Sequence, residues 1–122
     1  MTNNKPKTIF CDLDGTLVKH PGDVMVITSP DYKLELLPGV KEFLYTIDSN
    51  RYHLIITTGR KEGLRDATVK QLQNAGIIYD QLIMGIGGGG RHLINDKKTD
   101  NKTKTAFAHN INRNKGIGDL EI

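Results

Sequence analysis

The chain of 122 residues has a single cysteine, no tryptophan, few aromatics and little excess of either charge. A lone Cys11 cannot close an internal disulfide, and its position in a hydrophobic run reads as a buried thiol. With aromatics at 6% there is no aromatic and basic stripe of the kind that stacks and tracks nucleic acid. The balance of 17 Lys and Arg against 14 Asp and Glu leaves a formal charge of +3, too little to argue by itself for such a partner. No apolar run approaches the ~18 residues that cross a bilayer, and residues 1–7 are polar with no segment of signal-peptide type. A cytoplasmic protein with no membrane partner is therefore expected. The four histidines, His20, His53, His92 and His109, share no ligand spacing, which speaks against a zinc site; only His20 stands close to the residues singled out below.

What is present has the composition of a folded domain. Hydrophobic residues make up 37%, and counting the 13 glycines brings the apolar share to about half. The length suits one domain with one core, taken as 1–122 with the core at 7–112 and a polar tail at 113–122. Lys97, Lys98, Lys102, Lys104, Arg113 and Lys115 are scattered among Asn, Thr and Asp in the C-terminal third, as a solvated surface or as an anion-attracting rim.

Residues 8–11 are rich in β-formers and read as a buried first strand ending at acids. Gly15, Pro21 and Gly22 then break regularity, and residues 24–28 read as a short strand or hairpin before Pro30. Val40, Phe43, Leu44 and Ile47 form a helical stripe behind Pro38 and Gly39. Residues 52–58 make a second buried strand, and Leu64, Thr68, Leu72 and Ala75 mark another helix stopped by Gly76. A third strand is expected around residues 81–84, a glycine loop over 85–90, a short fourth strand at 92–94 and a last short helix at 105–109. Alternating strands and helices predict an α/β fold: a Rossmann-like three-layer α/β/α arrangement on a central, mostly parallel sheet with right-handed crossovers. Ligands of such sheets bind beyond the carboxyl ends of the strands. That rule gathers Asp12, Asp14, Thr57, Thr58 and Asp96 at one sheet edge.

Asp12 and Asp14 stand one residue apart in "FCDLDGTLVKH", with no obvious partner in sequence, and repel unless a cation sits between them. A hard cation such as Mg²⁺ takes one or two carboxylates together with a substrate phosphate, and Asp12 with Asp96 suits that pair. With charge neutralised, one carboxylate can attack a phosphoryl group while its neighbour protonates the leaving oxygen.

Asp12-Leu13-Asp14-Gly15-Thr16, entered from a hydrophobic strand, resembles the DxDGT signature of the haloacid dehalogenase superfamily. The resemblance covers residues 8–110 and extends to a phage and bacterial subgroup of small members. It implies that Asp12 is phosphorylated, that Asp14 is general acid and base, and that the backbone carbonyl of Asp14 is a metal ligand. Thr-Gly-Arg after the second strand resembles the second motif, which favours Thr58 over Thr57 as the hydroxyl for phosphoryl oxygens. Leu93-Ile94-Asn95-Asp96 resembles the acidic motif with Asn in place of the first acid, making Asp96 a metal ligand and Asn95 a water-mediated one. The motif lysine does not follow Leu82-Ile83-Met84-Gly85; Arg91, then Lys97 or Lys98, would substitute, although a guanidinium is not equivalent to an ammonium. Arg60 is expected either to reach substrate or to pair with an acid on the helix it precedes, and Thr16 and Gly59 complete the candidate binding residues. Residues 87–90 lack a Gly-Lys-Ser/Thr ending and form no P-loop, leaving a turn or a phosphate nest.

The reading is thus a Mg²⁺-dependent phosphatase acting through phospho-Asp12, with no separate cap domain because neither residues 18–37 nor 60–84 are long enough for one. An open site suits a larger substrate, such as a phosphorylated polymer end or protein, or a lid borrowed from a partner subunit, and small sugar phosphates stay among the candidates. One rival keeps the fold and binds a phosphorylated ligand without turnover, given Asn95 and the absent lysine. Another is an enzyme of nucleic-acid ends, like the phosphatase half of polynucleotide kinases, whose second motif also reads as hydroxyl-Gly-Arg; the modest charge and the lack of an aromatic and basic stripe rank it last.

Overall fold

The computed structural model describes residues 5–100 and 102–122. Its framework is a three-stranded parallel sheet in the order β1 (Thr8–Asp12), β2 (His53–Thr57), β3 (Gln81–Ile83). Helix α1 (Val40–Ser49) connects the first two strands and α2 (Arg65–Asn74) the second and third, preceded by a 3-10 turn over Glu62–Leu64. The fold class read from the alternating pattern is therefore present as a small α/β structure.

β2 lies between the other two strands, and Leu54, Ile55 and Ile56 are all buried. This continuous apolar run is the pattern of a strand covered on both faces. β1 alternates instead: Ile9 and Cys11 are buried, while Phe10 is 54% exposed on an edge strand. On α1 the stripe Val40, Phe43 and Ile47 faces the core, with Leu44 packed at its margin. Each fully buried aliphatic side chain contributes roughly 1.5–3 kcal/mol relative to exposure. α2 is less apolar; its buried residues are Thr68, Gln71 and Leu72. Gly76, at φ +74°, ends it in the left-handed conformation that favours glycine.

Four expectations are corrected. Val24–Thr28 is a 3-10 helix, not a strand: Asp23 caps it by accepting from the Met25 N–H at 2.9 Å, and only Ile27 is buried. No fourth strand forms at residues 92–94, where the backbone is irregular and Ile94 is 93% exposed, so the outer edge of β1 carries no strand among the described residues. The glycines of 87–90 make ordering that segment costly in entropy, and its side chains bury little in return. Residues 105–109 form no helix; Phe107 is exposed, and a segment this short gains too little burial to offset helix nucleation. The segment 113–122, read as a polar tail, contributes buried Ile117 to the core.

Candidate active site

The carboxyl end of β1 turns tightly. The Leu13 carbonyl accepts from the N–H groups of Thr16, Leu17 and Val18 at 3.2, 2.9 and 3.2 Å. The Gly15 N–H donates to the Val18 carbonyl at 2.7 Å, with Gly15 at φ +86°. This turn drives Leu13, Leu17 and Val18 into the core. Asp12 and Asp14, on either side of Leu13, are left partly accessible. The register of the parallel pair sets Asp12 beside Thr57, so the ends of β1 and β2 present a carboxylate and a hydroxyl residue together.

The two acids have different surroundings. Asp12, with its side chain 37% exposed, accepts from the Thr16 hydroxyl at 3.2 Å through Oδ2, and its Oδ1 lies 3.2 Å from Arg91 Nη1. Asp14 is less accessible, at 15%, and both its oxygens are engaged by Arg60: Nε donates to Oδ2 and Nη2 to Oδ1, each at 2.8 Å. The far side of the same guanidinium donates through Nη1 to Thr68 Oγ1 at 3.2 Å and Gln71 Oε1 at 2.7 Å. Gln71 Nε2 in turn donates to the carbonyls of Ile27 and Ser29 at 2.9 and 2.8 Å. Burying a charged pair is costly unless its remaining donors are satisfied. Here they are, and among the described residues no buried side-chain polar atom lacks a partner.

Arg60 thus pairs with an acid, although that acid is Asp14 and not a residue of the following helix, which supplies a hydroxyl and an amide instead. Its buried guanidinium is committed to protein groups. Thr58 is buried, its hydroxyl accepting from the Arg60 N–H at 3.1 Å, whereas Thr57 is partly accessible. Gly59 is exposed; a side chain there would meet the Ile86 carbonyl at 3.4 Å, because the exits of β2 and β3 run side by side. The Arg60 carbonyl accepts from the Gly85 N–H at 2.7 Å, fixing the entrance to the glycine loop that leads to Arg91.

Asn95, Asp96 and Lys97 are exposed in irregular backbone. Asn95 Nδ2 donates to Thr105 Oγ1 at 2.7 Å, and the Thr105 hydroxyl donates to the Asp96 carbonyl. Among the described residues no three His, Cys, Asp or Glu side chains converge as a metal-holding group. The expected gathering of Asp96 with Asp12 and Asp14 at one sheet edge is therefore absent from this arrangement, since no fourth strand carries Asp96 there.

Cys11, directly before Asp12, has its thiol pushed up to about 12 by burial, with the adjacent Asp12 charge adding to the shift. It is a packing group, as its place in a hydrophobic run suggested. Gln71 went unnoticed in the sequence; a signal existed in its place three residues after Thr68 on the inward face of α2. Asn114 was likewise missed, although it stands in the left-handed region at φ +61° and its backbone N–H donates to the Gly15 carbonyl at 2.9 Å.

No family model and no curated protein matches the chain. Among solved structures it is similar to a chain of the Pnkp1/Rnl/Hen1 RNA repair complex, at 31% identity and TM-score 0.56, over 70% of this chain and 28% of that one. A second structure of the Pnkp1/Rnl/Hen1 complex matches at 31% and 0.56 over 71% and 30%. D,D-heptose 1.7-bisphosphate phosphatase from B. bronchiseptica, crystallised with magnesium and phosphate, matches at 20% and 0.46 over 67% and 51%. The chain spans less than a third of the length of the RNA repair chains it matches.

Proposed function

We propose that the chain is a cytoplasmic phosphomonoester hydrolase of the haloacid dehalogenase type, built on a three-layer Rossmann-like domain without a separate cap. Asp12 is its nucleophile and Asp14 its general acid and base. The observation that carries this reading is the pair of unlike acids at the end of β1. One is accessible and flanked by a hydroxyl and a guanidinium; the other is held in a fixed ion pair one residue away.

In the first step an Asp12 carboxylate oxygen forms a bond to phosphorus as the bond to the leaving oxygen breaks, and that oxygen takes a proton from Asp14. In the second, water attacks phosphorus, Asp14 accepts the water proton, and the bond from phosphorus to Asp12 breaks to release phosphate. A guanidinium offers donors only, so Asp14 in its protonated form turns its O–H away from Arg60. Arg91 balances negative charge beside Asp12, in the role the family gives a lysine. Thr16, Thr57 and Thr58 offer hydroxyls for phosphoryl oxygens, with Thr57 the more accessible of the two at the end of β2. Lys97 serves as an outer cation.

The donors around Asp12 suit Mg²⁺ in chemistry: they are oxygens, with an accessible carboxylate, and this ion takes one or two carboxylates plus phosphate oxygens while keeping several waters. Asp12 and the Asp14 carbonyl would hold it, without Asp96 or Asn95, which the irregular backbone of residues 92–97 does not bring to that sheet edge. When bound it would neutralise charge on the phosphoryl group.

The substrate is a phosphorylated small molecule or a phosphorylated polymer end. A nucleic-acid end, ranked last on the modest charge and the lack of an aromatic and basic stripe, gains support from the 31% identity to a chain of an RNA repair complex. Turnover of aryl phosphate by the purified protein, with Mg²⁺ or with EDTA, tests the reading. Activity that requires Mg²⁺ and vanishes in Asp12→Asn supports it, and wild-type protein as inert as Asp12→Asn on aryl, sugar, nucleotide and oligonucleotide phosphates overturns it. Preference for the oligonucleotide, weakening steeply with salt, would select the nucleic-acid end.

A further inference from the structure

The C-terminal segment, expected to be surface, is fastened to the loop that carries the two acids. The Asn114 N–H donates to the Gly15 carbonyl at 2.9 Å, and Asn114 Oδ1 accepts from the His20 N–H at 2.8 Å. One residue therefore spans the loop from Gly15 to His20 across 94 positions of sequence. Asn114 does so at φ +61°, a conformation that Asn tolerates better than most residues. The segment is anchored just beyond: buried Ile117 donates its N–H to the Pro38 carbonyl at 3.0 Å. Gly116, at φ +89°, packs so closely that a Cβ would lie 2.2 Å from the same carbonyl oxygen.

This anchoring fixes where Arg113 lies. Its side chain runs across Gly15, with Cγ, Cδ and Nε 3.1, 3.7 and 3.7 Å from the place a Gly15 Cβ would occupy. Gly15 thus provides the seat for the stem, while the residue as a whole stays exposed. Among the described residues Arg113 has no ion-pair partner, in contrast to Arg60, Arg65 and Arg91. An unpaired guanidinium is thereby held on the residue immediately following Asp14, in a geometry whose planar fork matches phosphate oxygens.

We propose that the turn at residues 112–115 completes the site, Arg113 binding a phosphate group of the substrate and Asn114 acting as the positioning residue for the Gly15 to His20 loop. This deepens the phosphatase reading and rests on it for the identity of the substrate, but phosphate binding itself can be measured without turnover. The scattered basic residues of the C-terminal third are then resolved into one that faces the site.

The test is calorimetric titration of inorganic phosphate into full-length wild type, Arg113→Ala, Arg113→Lys and Asn114→Gly, with thermal melting as a check on folding. The expected result is at least about a tenfold loss of phosphate affinity in Arg113→Ala at unchanged melting temperature, corresponding to loss of one charge-assisted contact. Arg113→Lys should recover part of it. Asn114→Gly keeps the backbone conformation and removes the acceptor for His20, so it should weaken phosphate less than Arg113→Ala. If wild type binds no phosphate, or if Arg113→Ala binds it as wild type does, Arg113 is a packing residue and the proposal falls. Aryl phosphate turnover separates the two readings: turnover with an unchanged KM in Arg113→Ala overturns this proposal alone, while Arg113-dependent phosphate binding without turnover overturns the enzyme reading alone.

Discussion

Arg60 holds Asp14 by both oxygens at 2.8 Å while the opposite edge of its guanidinium is held by Thr68 and Gln71 of α2. The position of Asp14 is thus set by a helix that lies 50 and more residues further along the chain, and through Gln71 the same network reaches the carbonyls of Ile27 and Ser29. The acid, the helix and the loop after the first strand form one connected polar unit inside the fold.

Arg60→Ala should be the most damaging single substitution in this unit. It leaves Asp14, Thr68 and Gln71 without a shared partner in a water-poor environment, at a cost of about 3 kcal/mol. Arg60→Lys should recover less than half, since an ammonium cannot serve both edges at once. Urea unfolding of the two variants against wild type checks the size and the order.

Gln71→Leu should cost about 1–3 kcal/mol, because a buried guanidinium N–H and two carbonyls lose their partner. Its signature is local: the 3-10 helix Val24–Thr28 should become more susceptible to limited proteolysis, while cleavage around α1 stays as in wild type.

Gly116→Ala should destabilise by about 2–4 kcal/mol, as the added Cβ would collide with the Pro38 carbonyl and the positive φ disfavours any side chain. Gly118→Ala is the control: its φ is also positive, at +61°, but the space around it is open. It should cost about 1 kcal/mol. Equal costs would mean that the backbone conformation, and not the packing on Pro38, decides.

Much of this organisation was legible in the sequence, and the parts that were not share a cause. The three strands and two helices follow from local apolar periodicity, and Asp12 and Asp14 from their place at a strand end. The Thr58-Gly59-Arg60 stretch was recognisable too, but not the direction of the Arg60 guanidinium, because its partner lies 46 residues earlier. Residues 92–96 carry a strand-like spelling, yet a strand needs a neighbour, and nothing local says whether the edge of β1 will be taken. The segment beyond Asn112 looked polar because its two anchors, Gly116 against Pro38 and Ile117 in the core, are single residues with no periodicity.

Cys11 should resist alkylation at pH 8 in the folded protein and react readily once unfolded in urea. Its thiol is held up at about 12, against an ordinary 9.0, so the folded state keeps its proton where the unfolded state loses it. The sign follows: this contribution to stability is full below about pH 9 and is lost as pH rises toward 12. Stability of wild type should therefore fall more between pH 9 and 11 than that of Cys11→Val, measured by urea unfolding at each pH.

The central claim is that Asp12 becomes covalently phosphorylated. Rapid acid quenching of the protein during turnover of a ³²P-labelled phosphomonoester, followed by peptide mapping, addresses it directly. The account predicts a hydroxylamine-sensitive phosphoryl group on the peptide containing Asp12, absent in Asp12→Asn and accumulating in Asp14→Asn when the leaving group is a good one. Steady hydrolysis with no label on Asp12, or label undiminished in Asp12→Asn, would contradict it.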